Sequence, residues 1–304
     1  MQRLVVLTIS SISPASFVPQ EFTEQRPMRD VNGLSKAAGP RFTRRGLIRL
    51  VCNIGVVSCL LVLAATASRA SSADAKVRVA FVGDSLAQNY WAGVTRLVAG
   101  DPCLQSNVDL GRFARPATGL ANSAYFNWLR EIRRIDESYK PTVTVISIGL
   151  NDRQGIIDPK GVPVVRGTRD WTDKYRQQVT EFLEGAVASK AIVLFVGLPV
   201  MRDGYFNTDM IAKNAMYAEA VARVGAANVR YVEPWRLNTS GHETYSVYGP
   251  DRSGRSVQIR SPDGVHFANA GDDLLALYLL PKIVAALADA GIMVDLCLRT
   301  RIAQ

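Results

Sequence analysis

Val77-Arg78-Val79-Ala80-Phe81-Val82-Gly83-Asp84-Ser85-Leu86 changes its period in mid-stretch. Up to Val82 the residues are mostly apolar and fit a strand; after the Gly-Asp-Ser corner, apolar residues return at helical spacing as far as Ala99. A strand that turns directly into a helix is the first half of a βαβ unit, and its next strand runs parallel to it. Short runs at Val143 to Ile148, Ile192 to Gly197 and Val229 to Val232, with a weaker one at Val108 to Phe113, repeat the strand pattern. Between and after them, Ser123 to Tyr139, Asp170 to Ala188, Thr208 to Val224 and Ala270 to Ala290 read as helices, with Val179, Phe182, Leu183 and Ala186 on one face of the second of these. The alternation predicts an α/β fold: a three-layer α/β/α sandwich around a mostly parallel, five-stranded sheet.

The stretch from Gly241 to Ser261 interrupts the alternation. Tyr245 to Tyr248 and Val257 to Ile259 flank Gly249-Pro250-Asp251-Arg252-Ser253-Gly254, the composition of a β-hairpin excursion. The expected domain is residues 76–290, followed by a tail at 291–304.

Upstream, Thr43-Arg44-Arg45-Gly46-Leu47-Ile48-Arg49 runs into an apolar stretch from Leu50 to Ala67, the order of a signal peptide. The paired arginines resemble a twin-arginine export signal; a general secretory signal and an uncleaved anchor are the alternatives. Small residues around Ala65-Thr66-Ala67, Ser68-Arg69-Ala70 and Ala73-Asp74-Ala75 place a mature start near Ser71 or Lys76. Residues 1–75 are therefore read as a polar extension and export leader, and the protein as periplasmic or secreted, or held at the inner membrane if the leader stays on. Membrane contact is expected only through that leader. The apolar run continues beyond Cys59, the wrong order for a lipid-modified cysteine.

The whole chain of 304 residues carries a formal charge of +9, which invites a nucleic-acid reading. Nine of the 36 Lys/Arg and only three of the 27 Asp/Glu fall in residues 1–70, so most of the excess belongs to the leader. The remainder has no dense basic run, and a nucleic-acid partner is not expected. Cys52 and Cys59 also lie in the leader. Cys103 and Cys297 remain, an even pair that an oxidising compartment commonly joins. Such a bridge would close a loop of about 195 residues, for which the chain-entropy model gives roughly 5 kcal/mol.

In an open α/β sheet, ligands bind beyond the carboxyl ends of the strands. Three such ends, or positions ahead of a helix, carry reactive residues. Ser85 begins a helix, where unpaired N–H groups and the helix dipole favour a developing oxyanion; taken alone, Asp84-Ser85 is more often a helix cap than a nucleophile. Asn151, in Gly149-Leu150-Asn151-Asp152, is either a turn former or an oxyanion donor. Pro262-Asp263-Gly264-Val265-His266-Phe267 puts an acid three residues before a histidine. The other histidine, His242, lies in the Gly/Ser-rich excursion and reads as a surface residue.

Gly83-Asp84-Ser85-Leu86, a glycine about 35 residues later, Gly149-Leu150-Asn151-Asp152 and Asp263-Gly264-Val265-His266 resemble the four ordered blocks of the GDSL, or SGNH, hydrolase superfamily. The stretches Asn151-Asp152-Arg153-Gln154 and Gly197-Leu198-Pro199-Val200-Met201-Arg202 are similar to those of a bacterial envelope-associated subgroup. The resemblance spans about Val77 to Leu287. It implies a flavodoxin-like sandwich and serine ester hydrolysis, with Ser85 as nucleophile, His266 as general base and then acid, and Asp263 as the orienting carboxylate. The implied oxyanion hole is the Ser85 N–H, the Gly119 N–H and the Asn151 amide. Gly111 is the rival for the second block, and Asp84 and Asp152 are implied to brace the loops beside them.

Arg153, Gln154, Met201, Arg202 and Tyr205 follow strand ends and are candidates for the substrate pocket, with loop bracing as the alternative. Trp91 and Trp128 read as helix-face fillers; Trp171 and Trp235 are open. There is no G-x-S-x-G, Walker loop, G-x-G-x-x-G, H-E-x-x-H or cysteine cluster, so no metal or other cofactor is expected. The expected partner is an acyl-ester substrate, in particular a cell-envelope carbohydrate. Three functions fit: an exported serine esterase that deacylates envelope glycans or small esters, an O-acyltransferase with the same catalytic residues, and a catalytically silent envelope-binding module.

Overall fold

The computed structural model describes residues 76–292 except 158–159 and 238–243. The leader, His242 and Cys297 lie outside the described residues. Five strands form the central sheet: β1 (Val77–Gly83), β2 (Val108–Ala114), β3 (Val143–Ser147), β6 (Ile192–Val196) and β7 (Val229–Val232), with two short pairs between and after them. The order is β2-β1-β3-β6-β7 and every pairing is parallel. β1, β3 and β6 are buried along nearly their whole length, as strands covered on both faces must be.

Six helices are described: α1 (Ser85–Ala99), α2 (Pro102–Asn107), α3 (Trp128–Ser138), α4 (Arg169–Val187), α5 (Gly204–Val224) and α6 (Asn269–Asp289). Right-handed crossovers put α1 on one face of the sheet, where it packs against α6, and α3, α4 and α5 side by side on the other. The helix starts follow their caps. Asn127 accepts from the Arg130 N–H, so α3 begins at Trp128 and not near Ser123, while Asp203 accepts from the Phe206 N–H and starts α5 four residues earlier than its apolar period suggests.

The expected hairpin is present as β8 (Tyr248–Pro250) and β9 (Ser256–Gln258), closed by Asp251, which accepts from the Ser253 and Arg255 N–H groups. A second miniature hairpin, β4 (Ile156–Ile157) with β5 (Pro163–Val164), follows β3 and has no clear sequence signal. Cys103 lies in the first turn of α2. Among the described residues no helix is long and apolar enough to cross a membrane.

Candidate active site

The sheet order reverses direction at β1: β2 lies on one side of it and β3 on the other. Such a switch point leaves a crevice outside the carboxyl ends of β1 and β3, and both ends are shaped by buried carboxylates. Asp84 is fully buried. One of its oxygens accepts from the Leu86 N–H (3.0 Å), capping α1; the other accepts from the N–H groups of Gly149 and Leu150 (3.0 and 2.9 Å). A single side chain therefore ties the Ser85 corner to the loop that carries Asn151. Burial, resisted by those three N–H donors, pushes the Asp84 carboxyl up to about 7.

Asp152 does the same for the loop after β2. Its two oxygens accept from the N–H groups of Leu120 (3.0 Å) and Ala121 (2.8 Å). A Cβ on Gly119 would fall on Asp152 Oδ1, so only glycine lets the loop approach this closely. Trp128 donates from Nε1 to Thr118 Oγ1 (3.0 Å) and Asn151 Nδ2 to the Thr118 carbonyl (2.9 Å). Ala117 sits at φ +60°, a local strain of about 1–2 kcal/mol kept where the loop turns toward the site. Gly111, the rival glycine, lies inside β2 opposite Ala80 and is not in this loop.

Beneath Asp152 runs a chain of hydroxyls. Tyr175 Oη meets Asp152 Oδ2 at 2.8 Å and Tyr217 Oη at 2.9 Å, and Tyr217 Oη meets the Ile148 carbonyl at 3.0 Å. Tyr175 donates to the Asp152 carboxylate and Tyr217 to the Ile148 carbonyl. Burial raises the Asp152 carboxyl pKa, opposed by the Leu120 and Ala121 N–H groups and the Tyr175 hydroxyl. Fully buried Lys213 lies in the same field and is paired with Asp209 Oδ2 at 2.9 Å; desolvation lowers its ammonium pKa.

The base comes from a different part of the chain. Residues 261–266 form a loop closed at its neck by an antiparallel bridge between Arg260 and Phe267. His266 Nε2 lies 2.6 Å from Ser85 Oγ, and Nδ1 lies 2.7 Å from Asp263 Oδ2. Asp263 Oδ1 accepts from the Val265 and His266 N–H groups, so the acid is fixed as well as the ring. Partial burial would raise the Asp263 pKa, but hydrogen bonds from the His266 ring and the two N–H groups outweigh it and hold the carboxyl near 2. Asp263 is an ionised acceptor throughout the neutral range.

Arg260 supports this loop from below. It is buried, with Nη2 donating to the Val265 carbonyl at 2.9 Å and Nε to the His266 carbonyl at 3.4 Å. Its guanidinium carbon lies 4.3 Å from the Phe267 ring centroid and 4.8 Å from that of Tyr245, and among the described residues no carboxylate pairs with it. Desolvation lowers its pKa to about 10, so it stays charged at neutral pH.

The structure thus brings Ser85, His266 and Asp263 into one hydrogen-bonded row. The Ser85 and Gly119 N–H groups have no protein acceptor among the described residues, and one Asn151 Nδ2 hydrogen remains free beside that used by Thr118. The remaining pocket candidates divide. Arg153 and Arg202 are exposed, Tyr205 is 68% exposed, and Gln154 braces its own loop by accepting from the Arg153 N–H and, through its carbonyl, from Trp171 Nε1. Met201 is buried, its sulfur 3.9 Å from Arg260 Nη2. Trp171 stacks on Tyr175, Trp235 packs edge-on to Phe267, and Trp128 adds the bond to Thr118 to its helix-face role. Among the described residues no group of His, Cys, Asp and Glu is arranged to hold a metal.

Sequence reading missed Arg260, Tyr175, Tyr217 and Lys213. The tyrosines fall in the apolar period of their helices and read as core. Arg260 offered one signal, a lone arginine at the end of an apolar run just ahead of the acid-histidine block.

A five-stranded parallel α/β sandwich with a serine, histidine and aspartate row at its switch point is an SGNH-hydrolase-like fold. The chain belongs to the family described as "Protein of unknown function (DUF459)", whose model matches residues 78–282. No curated protein matches it. Among solved structures it is similar to a carbohydrate esterase family 3 from Talaromyces cellulolyticus, at 16% identity and TM-score 0.48 over 70% of this chain and 99% of that one. It is also similar to the psychrotrophic esterase EstA from Pseudoalteromonas sp., at 15% identity and TM-score 0.46 over 70% and 100%. A third is the periplasmic domain of a lipopolysaccharide acetyltransferase from Salmonella ser. Paratyphi A, at 17% identity and TM-score 0.43 over 69% and 85%.

Proposed function

We propose that the protein is an exported serine ester hydrolase that removes acyl groups from envelope glycans or small esters. The observation that carries this reading is the continuous row Ser85 Oγ, His266 Nε2, His266 Nδ1, Asp263 Oδ2, with contacts of 2.6 and 2.7 Å.

His266 takes the Ser85 proton as Oγ attacks the ester carbonyl. Asp263 holds Nδ1 protonated, so that Nε2 is the free base, and stabilises the imidazolium that forms. The negative charge on the carbonyl oxygen is met by the Ser85 and Gly119 N–H groups and the Asn151 amide, all fixed before substrate arrives. Collapse expels the alcohol, which takes its proton from His266 and leaves an acyl-serine. His266 then deprotonates a water that attacks the acyl carbon, and Ser85 is released with the acid.

The chain from Ser71, with Ser85→Ala as control, tests this by release of p-nitrophenol from acetate, butyrate and octanoate esters. Serine-dependent turnover is expected, and the three rates give the depth of the acyl pocket. A folded protein that gives neither turnover nor an acyl-serine intermediate overturns the reading. An acyl-serine that forms but is cleared only by a sugar hydroxyl makes the protein an O-acyltransferase. Export rests on the leader, and a disulfide between Cys103 and Cys297 is proposed with it. Thiol counting on the unfolded, unreduced mature chain is expected to find none free, and two free thiols would refute the bridge.

A further inference from the structure

Three exposed arginines stand at the strand ends around Ser85. Arg115 follows β2 directly, and its N–H donates to the Gly83 carbonyl at 2.8 Å, two residues from the serine. Arg153 lies two residues beyond Asn151, with its N–H on the Asn151 carbonyl. Arg202 lies against the acid-histidine loop: its N–H donates to the Gly264 carbonyl, its Nη1 to the Pro262 carbonyl, and a Cβ on Gly264 would meet its Nε at 2.6 Å. In sheet order they bracket the nucleophile, Arg115 on the β2 side and Arg153 and Arg202 on the β3 and β6 side. With strands about 4.8 Å apart, this row of strand ends spans roughly 15 Å, the length of several sugar units.

None of the three forms an ion pair among the described residues. Arg115 rests on the Phe126 ring (4.6 Å) and Arg153 on the Phe206 ring (4.2 Å), contacts that orient a guanidinium without neutralising it. Arg96, Arg134, Arg176 and Arg223 show the usual alternative, each meeting a carboxylate of its own. Asp203, beside Arg202 in the chain, caps α5, and Asp263, in the loop that Arg202 touches, holds His266. Each of the three keeps N–H donors in the paired geometry that matches a carboxylate or phosphate.

We infer that the ester is carried on an anionic chain, with acidic groups on both sides of the reacting acyl group seated on Arg115 and on Arg153 with Arg202. This rests on the hydrolase reading and narrows its substrate to acylated acidic glycans.

The test compares acetate release from O-acetylated oligogalacturonate and from neutral O-acetylated xylo-oligosaccharide, with p-nitrophenyl acetate as the measure of hydrolase activity. For the full mature chain the acidic substrate is expected to lead by tenfold or more in kcat/KM at low salt, and the lead should shrink as salt screens the arginines. Arg115→Gln/Arg153→Gln/Arg202→Gln is expected to bring the ratio near one, whereas Arg134→Gln, on the far-side helix α3, leaves it as it was. Equal rates on the two oligosaccharides from an enzyme that cleaves p-nitrophenyl acetate overturn the inference and leave the hydrolase reading intact. If p-nitrophenyl acetate is not cleaved, the hydrolase reading fails by itself. The inference is then read from calorimetric binding of oligogalacturonate to the Ser85→Ala chain: binding that the triple variant loses supports it, and no binding overturns it.

Discussion

The two halves of the candidate site are held by opposite means. Ser85, Gly119 and Asn151 hang from adjoining strand ends and are tied together by Asp84 and Asp152, two buried carboxylates that spend their oxygens on backbone N–H groups. His266 and Asp263 stand on a short loop outside the sheet, where Asp263 is 47% exposed at its side chain and the support is a single buried cation, Arg260. The same residue type therefore does different work on each side. Asp84 and Asp152 tie backbone loops together, whereas Asp263 holds a histidine ring, the one that acts as base in the proposed mechanism.

The sharpest separation is expected from Asp263→Asn. It should lower kcat by about 10⁴, since the ring loses its correct tautomer, and move the urea midpoint less than Asp84→Asn does. A comparable fall in stability would erase the distinction. Asp84→Asn is the mirror case. Its amide nitrogen would face backbone N–H donors that now have no acceptor, at about 1–3 kcal/mol for each. Equilibrium urea unfolding should show a loss of several kcal/mol, and a variant as stable as the parent would mean that Asp84 ties nothing together.

Arg260→Gln probes the support on the histidine side. With the Val265 and His266 carbonyls released, kcat is expected to fall by about 10- to 100-fold while KM holds, the signature of a displaced base. Arg260→Lys should recover part of the loss. A KM effect alone would make Arg260 a substrate contact instead of a positioning residue.

The smallest effect is in pH dependence. Burial raises the Asp84 and Asp272 carboxyls to about 7, against 3.8 without burial. Between pH 4 and 7 the folded chain therefore binds more protons than the unfolded one. The stability these groups contribute is complete below pH 4 and is lost as pH rises through 7. Asp263 and Asp251, held near 2, contribute in the opposite sense, and their share is lost only as pH falls below 4. The urea midpoint should be higher at pH 5 than at pH 8, with a smaller difference in Asp272→Asn; equal midpoints in the parent would remove the buried-acid account.

Strands and blocks were legible because each had a period or a spacing of its own. The five runs predicted from apolar patterning are the five sheet strands, and the bracing of loops by Asp84 and Asp152 was implied by the resemblance of their blocks. What could not be read was contact between distant parts of the chain: Tyr175 with Tyr217, Trp128 with Thr118, Arg260 under His266. Each joins a residue with an adequate local reason to be where it is, a helix face or a strand end, to another with an equally adequate one. Helix starts failed for a smaller reason, since Asn127 and Asp203 set them through caps, while the apolar period marks only the buried face.

At Gly119 and Gly149 the missing methyl group is itself a building element. A Cβ at the first would fall on the Asp152 carboxylate, and at the second, where φ is +113°, on the Tyr217 hydroxyl. In a saturation library the two positions should form columns in which alanine fares as badly as tryptophan. Core positions such as Val179 should instead grade smoothly with side-chain volume. Two of the least tolerant columns in such a map would then belong to residues with no side chain to mutate.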